Sequence, residues 1–571
     1  MQQAAVVSNK IKQIFTFQRI FFLIFLLALV LRFWQLDLKL FHHDEAIHSW
    51  FSYNLLTTGS WKYDPSYHGP LLYYVTAGMF SLFGDSDLVA RLLPALFGLL
   101  LIPLVYSIYR LGYLNKTQTL LASLFIAISP DMVYFSRFLR HDIFMLFFTL
   151  LLVVAILWYF ERGQTRYAIV VALAIAFSLS LKEEMPVILL IFISFFTIAI
   201  LKKRLALPPR WKVDLLLVLV IVIGVMSVLY SAFGNHIDTL VGENFQIGLQ
   251  GVHFEANTTG WYQAVGHWVE MHNEQRLGGP WFFYIPLFLL YELPIFILAA
   301  LGTIQFLFKD TSVTITAIRL KNWIKTGRMW LDHHHFSRQC PPPSSDFARS
   351  IHDSTQISLH QLDQIRRTEK SDLFFQFCIY WMILSMAFYA YVGEKVPWLL
   401  IHQLLPMIFV AVYKLNWQKI VFALLGCFFL AMMTWHVAFI PADINEPIVQ
   451  VQNSEDLREV MRMIDASDHV VVASKDYWPL PWYYRGDRWN KIKFYGDLVD
   501  EETLTQDHPG VIILHDTESY SSIEGYDKQT FKLSYWFSVY DNDNRLLDYY
   551  LHRDGKMGSI NIDVFTPHRN N

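Results

Sequence analysis

Cysteine is scarce: Cys340, Cys378 and Cys427 are the only three in 571 residues, and the last two sit inside apolar runs. An odd count so placed supplies no disulfide framework, so any exported portion must fold without one. Charge is scarce as well. Asp, Glu, Lys and Arg make up 17% of the chain against a usual share of about 25%, and the formal net charge is −3. That balance cannot build the basic face a nucleic-acid partner would require. A signal-peptide cleavage site is also missing. Lys10, Lys12 and Arg19 precede the apolar run 20–31, but Arg32, Phe33 and Trp34 follow it, so the run reads as an uncleaved first span.

What the chain has instead is apolar surface. Hydrophobic residues reach 54% without counting glycine, aromatics 16%, and mean hydropathy is +0.31. Only a polytopic membrane protein fits these values, since the bilayer replaces the packed cores of soluble domains. Apolar stretches long enough to cross begin near residues 16, 88, 117, 142, 166, 184, 213, 281, 372, 397 and 417. The segment Leu71–Phe83 is shorter, and counting it as a span would invert everything downstream. Left out, it places Arg110/Lys116, Arg162/Arg166, Lys202/Lys203/Arg204, Arg319/Lys321/Lys325 and Lys414/Lys418 on the side of the basic N-terminus. The positive-inside rule then predicts an α-helical polytopic membrane protein in the plasma membrane. It would have about eleven transmembrane helices, a cytoplasmic N-terminus and an extracytoplasmic C-terminus, with Leu71–Phe83 as a juxtamembrane or re-entrant helix.

The domain division predicted is a transmembrane domain over 1–440 and an extracytoplasmic α/β domain over 441–571. The first outer loop covers 34–87. A cytoplasmic insert over 309–371 is polar and irregular, with His333 to His335 and Pro341 to Pro343, and reads as a mobile loop. In the last domain the pattern predicts a helix over 454–464 and strands over 469–473 and 511–514. Its aromatic residues Tyr477, Trp478, Trp482, Tyr483 and Tyr484 read either as a stacking surface for sugars or as a membrane contact.

Unusual polar residues gather on the outer side. Phe41-His42-His43-Asp44-Glu45-Ala46-Ile47-His48 packs five ionisable groups into seven residues just past the first span. Three readings fit: a carboxylate serving as general base, a helix N-terminus capped by Asp44, or a metal site. His68 follows in the same loop. Arg137, Arg140 and Asp142 occupy another outer turn, where arginines can pair with phosphate and Asp142 can anchor a cation. Lys182, Glu183 and Glu184 close a third, Lys395 a fourth, and His402 lies inside a span, where an ionisable residue is a functional candidate. Similar depth in successive spans predicts one shared outward-facing cavity.

At these positions the sequence resembles the GT-C glycosyltransferases, in particular the protein O-mannosyltransferase and aminoarabinose transferase (ArnT-like) group. The resemblance rests on Asp44-Glu45 after the first span and His68-Gly69-Pro70-Leu71 where the mannosyltransferases have His-Pro-Pro-Leu. Arg91-Leu92-Leu93-Pro94 and Arg137 to Asp142 extend it over roughly the first third of the chain. Tyr291-Glu292 and Gly393-Glu394-Lys395-Val396-Pro397-Trp398-Leu399 look like a bacterial and archaeal branch labelled flippase-associated.

The resemblance implies sugar transfer from a polyprenyl phosphate, with inversion, to a protein, lipid or glycan acceptor at the outer membrane face. It implies catalytic roles for Asp44, as general base, and Glu45. Arg137, Asp142 and Lys395 would hold the lipid phosphate, with or without a divalent ion, for which Asp142 and Glu45 are the candidate ligands; no other cofactor is expected. His43, His48, His68, Arg140, Lys182, Glu183 and His402 complete the expected substrate site. Membrane lipids are the remaining partners, and a lipid-linked sugar flippase or a noncatalytic assembly subunit is the rival reading.

Overall fold

The computed structural model describes residues 2–241, 279–308, 345–441, 443–538 and 540–568. Each of the eleven apolar stretches forms a helix or a bent helix pair. Six are long and apolar enough to cross a bilayer alone: Thr16–Phe33 within α1 (Gln2–Phe33), α4 (Asp87–Arg110), α7 (His141–Arg162), α10 (Trp211–Tyr230), Arg366–Tyr391 within α13 (Ser345–Tyr391), and α15 (Trp417–Phe439). Two more pass as bent pairs, α5 (Lys116–Ile128) with α6 (Pro130–Ser136) at 56°, and α11 (Tyr284–Tyr291) with α12 (Leu293–Leu307) at 114°. Proline explains both breaks, because Pro130 and Pro294 start the second member and lack the N–H that would continue the first. Three are shorter: α8 (Thr165–Leu179), α9 (Met185–Leu201) and the segment Pro397–Ala411, whose α-helical part is α14 (Leu400–Ala411).

The juxtamembrane segment forms α3 (Leu71–Phe83), which packs on α2 (His43–Thr58). Thirteen residues span about 20 Å, well under a hydrocarbon core. Just before α3, Gly69 donates to the carbonyl of Leu181, and a Cβ there would lie 2.3 Å from the Ser180 carbonyl oxygen. A proline at 69 would meet that carbonyl and lose the hydrogen bond, so glycine is the residue this turn accommodates.

The polar insert differs from expectation. Residues 309–344, with His333 to His335 and Pro341 to Pro343, lie outside the described residues, but from Ser345 the chain is one continuous helix through Tyr391. No proline interrupts 345–391, and midway along it Lys370 pairs with Glu161 at 2.6 Å.

Beyond α15 the chain builds a six-stranded sheet in the order β1-β5-β6-β4-β2-β3. These strands are β1 (Gln452–Asn453), β2 (Val470–Ala473), β3 (Ile492–Phe494), β4 (Val511–His515), β5 (Tyr526–Phe537) and β6 (Met557–Pro567). β2 is parallel to β3 and β4, and its Val-Val-Val-Ala run is buried on both faces, as central parallel strands are. Val470 and Val472 pack with Leu457, Val460 and Ile464 of α16 (Leu457–Asp465), while Val471 and Ala473 face Leu504, Ile523 and Phe565. The long antiparallel hairpin β5–β6 was not foreseen, since its outer half is too polar to show a burial pattern.

Three members of the aromatic run are spent on packing and docking, leaving Tyr477 and Trp478 partly exposed. Trp482 is fully buried and donates Nε1–H to Asp87 at 2.7 Å, Tyr483 donates to the other Asp87 oxygen at 2.9 Å, and Arg485 pairs with Asp85. Tyr484 is buried within its own domain, donating to the Met461 carbonyl. The sheet domain is thereby locked to the start of α4. A second lock forms around Glu446, which accepts from Tyr291 at 2.7 Å, Tyr549 at 3.1 Å and Arg553 at 3.0 Å. The first loop completes the junction: the Leu40 and Phe41 N–H groups donate to Glu455 and the Tyr483 hydroxyl, and Asn453 donates back to the Phe41 carbonyl.

Candidate active site

The site begins at the N-terminus of α2. His42 is the cap: its ring Nδ1 accepts from the Asp44 N–H at 3.0 Å, and its own N–H donates to Glu45 at 3.0 Å, a capping box. Asp44 is therefore not the cap. It stands in the first helical turn, where the aligned peptide dipoles favour a carboxylate, with its side chain 28% exposed.

Glu45 points the other way and is 1% exposed. Arg91 grips both its oxygens, Nε to Oε1 at 2.8 Å and Nη2 to Oε2 at 2.6 Å, and the Leu139 N–H adds a third donor at 2.9 Å. The remaining guanidinium hydrogens bind carbonyls of Leu36, Lys39 and Leu40. Glu45 thus orients two outer turns on α4. This overturns its expected catalytic and metal-binding roles, because a carboxylate saturated by an arginine and two backbone N–H groups has no lone pair to offer a substrate or ion.

Asp44 pairs with Arg140, whose Nε reaches Asp142 at 3.1 Å and whose guanidinium carbon lies 3.5 Å from the centre of the Trp398 ring. The other Asp142 oxygen accepts from Lys182 at 2.8 Å and faces His402 Nε2 at 3.4 Å. Lys182 also meets Glu184 at 2.7 Å, and Glu184 accepts from the Tyr389 hydroxyl at 2.6 Å. From solvent inward the charges alternate. Burial alone would discharge Lys182, but Asp142 and Glu184 outweigh it and raise its pKa; Lys182 in turn lowers that of Glu184 against the same burial. Both remain ionised. Beside this network His68 Nδ1 lies 2.8 Å from Glu183, which raises the imidazole pKa although burial opposes it. A cavity of about 40 Å³ opens here, lined by His68, Arg140, Lys182, Glu183, Tyr389 and Trp398 among others.

Four expected members lie elsewhere. Arg137 donates to the carbonyls of Arg32, Trp34 and Gln35, capping the open end of α1. Lys395 does the same for α13 through the carbonyls of Tyr389, Ala390 and Val392. Each cation is turned to a helix end, where orphan carbonyls take all three Lys395 hydrogens and most of those on the Arg137 Nη atoms, which argues against their assignment to the lipid phosphate. His48 bonds the Tyr73 hydroxyl, and burial lowers its pKa to about 3, keeping the ring neutral. His43 faces the sheet domain, 6.5 Å from the Trp478 ring. Trp398, Tyr389 and Glu184 were missed as site members; Trp398 and Glu184 adjoin charges read as functional, but nothing in a sequence marks an aromatic as the face under an arginine.

Arg137→Ala is accordingly expected to lower thermal stability, by about 2 kcal/mol for the lost charge-assisted bonds, while leaving donor binding unchanged. Melting of the purified protein alongside a donor titration checks this. A normal melting curve with weakened donor binding would restore Arg137 to the site.

Among the described residues no three His, Cys, Asp or Glu side chains converge on a metal-sized position. Both Asp142 oxygens are engaged by Arg140 and Lys182, so the donor set as arranged does not fit a divalent ion.

Residues 67–230 match the family model described as dolichyl-phosphate-mannose-protein mannosyltransferase, a stretch that includes His68, Arg140, Asp142 and Lys182. No curated protein sequence matches the chain significantly. Among solved structures, ArnT from Cupriavidus metallidurans bound to undecaprenyl phosphate is similar at TM-score 0.51 and 12% identity, over 87% of this chain and 93% of that one. The apo oligosaccharyltransferase of Archaeoglobus fulgidus gives TM-score 0.44 and 14% identity over 82% of this chain and 63% of its own, so this chain spans less than two thirds of that protein. The S. cerevisiae Pmt1-Pmt2 complex bound to the sugar donor gives TM-score 0.32 and 18% identity, over 39% and 34%. The likeness to ArnT runs nearly end to end, and the fold is that of the GT-C membrane glycosyltransferases.

Proposed function

We propose that this chain is a membrane glycosyltransferase that moves a hexose or pentose from a polyprenyl phosphate to an acceptor hydroxyl at the outer face of the plasma membrane. The observation that carries the reading is the chain of charges Asp44–Arg140–Asp142–Lys182, which joins a partly exposed acid to two buried cations that line the cavity. Such a site suits an inverting displacement. The acceptor oxygen forms its bond to the anomeric carbon as the bond from that carbon to the phosphate oxygen breaks; the acceptor proton passes to Asp44, and the polyprenyl phosphate leaves as a monoester anion. Arg140 and Lys182 are the cations placed to meet that developing charge. ArnT was solved with undecaprenyl phosphate bound, and its fold supports a polyprenyl carrier here.

Arg140 is shared between the base and the phosphate side. While it holds Asp44 the carboxylate is masked, and an arriving phosphate competes for the same guanidinium. Donor binding would then free Asp44 to accept a proton, favouring donor before acceptor.

The orientation belongs to the same proposal. α7 runs from the site at His141 to Arg162, and α4 from its dock at Asp87 to Arg110, so basic residues collect at the end away from the cavity, which supports a cytoplasmic location for that end.

Purified protein in lipid vesicles with radiolabelled polyprenyl-phosphate sugars tests the activity: transfer to an acceptor is expected, and movement of the lipid-linked sugar across the bilayer without transfer would replace this reading with a flippase. Impermeant thiol labelling of single-cysteine variants in intact cells is expected at position 500 and not at 325. The reverse pattern would invert the topology.

A further inference from the structure

Above the first turn of α2, the sheet domain presents a loop that the charged network does not use. Asp476, Tyr477 and Trp478 lie between β2 and the short helix Leu480–Tyr483, held in place because Trp482 and Tyr483 are bonded to Asp87. Trp478 remains half-buried. Its ring meets that of Trp50 at 6.0 Å and 82°, and that of His43 at 6.5 Å and 71°. His43 and Trp50 stand seven residues apart on one face of α2, and both are half-buried. Tyr477 stacks behind Trp478 and is braced by Phe494 at 4.6 Å. Asp476, beside them, is oriented by His515 at 3.3 Å.

We propose that Trp478, Trp50 and His43 form a saccharide subsite, in which a sugar ring of the acceptor stacks on the Trp478 and Trp50 corner and presents a hydroxyl to Asp44. The proposal rests on the glycosyltransferase reading and narrows its acceptor to a glycan. Two near-perpendicular aromatic planes offer an apolar face and an edge, which match the C–H faces of a pyranose better than an extended chain. Asp476 and His43 supply acceptor and donor groups at the rim for the ring hydroxyls. His43 and Asp44 share the first turn of α2, so the corner and the proposed base lie on neighbouring faces of one helix end. The corner forms only where the two domains meet, because Trp478 belongs to one and Trp50 and His43 to the other. This gives the sheet domain a direct part in choosing the acceptor.

Saturation-transfer NMR on the full chain in lipid nanodiscs tests it, with mannobiose, chitobiose and a Ser/Thr octapeptide as probes. Ring C–H signals of at least one disaccharide are expected to saturate in wild type. Trp478→Ala and Trp50→Ala are each expected to weaken that binding about tenfold, the scale of one aromatic contact, and Trp478→Phe to retain most of it. Unaltered melting in the Trp50 variant keeps the result separate from domain docking. No disaccharide binding in wild type, undiminished binding in both alanine variants, or binding of the peptide alone would overturn the proposal. Asp44→Asn distinguishes the two readings: disaccharide binding persists there whatever happens to transfer. If wild type binds the sugar but transfers from no donor, the enzyme reading fails while the subsite stands; transfer without disaccharide binding fails the subsite alone.

Discussion

Asp44→Asn is expected to lower sugar transfer by about 10²- to 10⁴-fold, the range a positioned general base contributes. Asn keeps the size of the side chain and still bonds Arg140 through its carbonyl oxygen, so insertion and donor binding should persist. What it cannot do is take the acceptor proton. Because His42 and not Asp44 caps α2, loss of a cap does not confound the result. Arg140→Lys offers the companion measurement, since it keeps one charge but cannot bridge Asp44 and Asp142 while lying flat on Trp398. Transfer by Asp44→Asn within about threefold of wild type would remove Asp44 from the mechanism.

Glu45→Ala is expected to act on folding. It leaves the Arg91 guanidinium buried without its counter-ion, and breaking a buried pair from one side costs about 3–5 kcal/mol. Against a total stability of roughly 5–15 kcal/mol, that is enough to empty the native state well below the wild-type melting temperature. Glu45→Ala/Arg91→Met should recover much of the loss, because removing both charges leaves no orphan. Thermal melting of the three proteins checks this. If Glu45→Ala melted like wild type yet transferred as poorly as Asp44→Asn, Glu45 would be acting on substrate and the assignment of Asp44 alone would fall.

Two adjacent acids therefore divide into one that pairs with Arg140 of the cavity wall and one that fastens the fold. Sequence brought both forward for the same reason, an unusual density of charge beyond a span. It could not separate them, because the separation depends on Arg91, 46 positions away, reaching Glu45 across the packed ends of α2 and α4. Arg137 and Arg140 repeat the case: both flank one turn, and only the position of the α1 carbonyls decides which guanidinium is consumed locally. Where a property is set by composition along the chain, the reading carried through. Hydropathy located the eleven apolar stretches as helices or bent pairs, but only six, or eight counting the bent pairs, are long and apolar enough to span, not the eleven expected; the run at 469–473 located a central strand. Properties set between segments were not legible, among them the saturation of Lys395, the docking of Trp482 and the polar hairpin β5–β6.

The lock between the first loop and the sheet domain has a consequence for how the protein is made. Leu40 and Phe41 are held by residues 412 to 442 positions further along. At a synthesis rate of about 5–20 residues per second, the ribosome needs roughly 20–80 s after releasing the first loop before its partners exist. During that interval α1 and the early spans can already be in the bilayer, and the turn bearing Asp44 can rest on Arg91 and Arg140 but not yet on the sheet domain. A chain interrupted between residues 402 and 450 would carry every charged member of the cavity network without the sheet-domain contacts of the first loop. On the proposed mechanism, the site therefore gains its last supports late in translation.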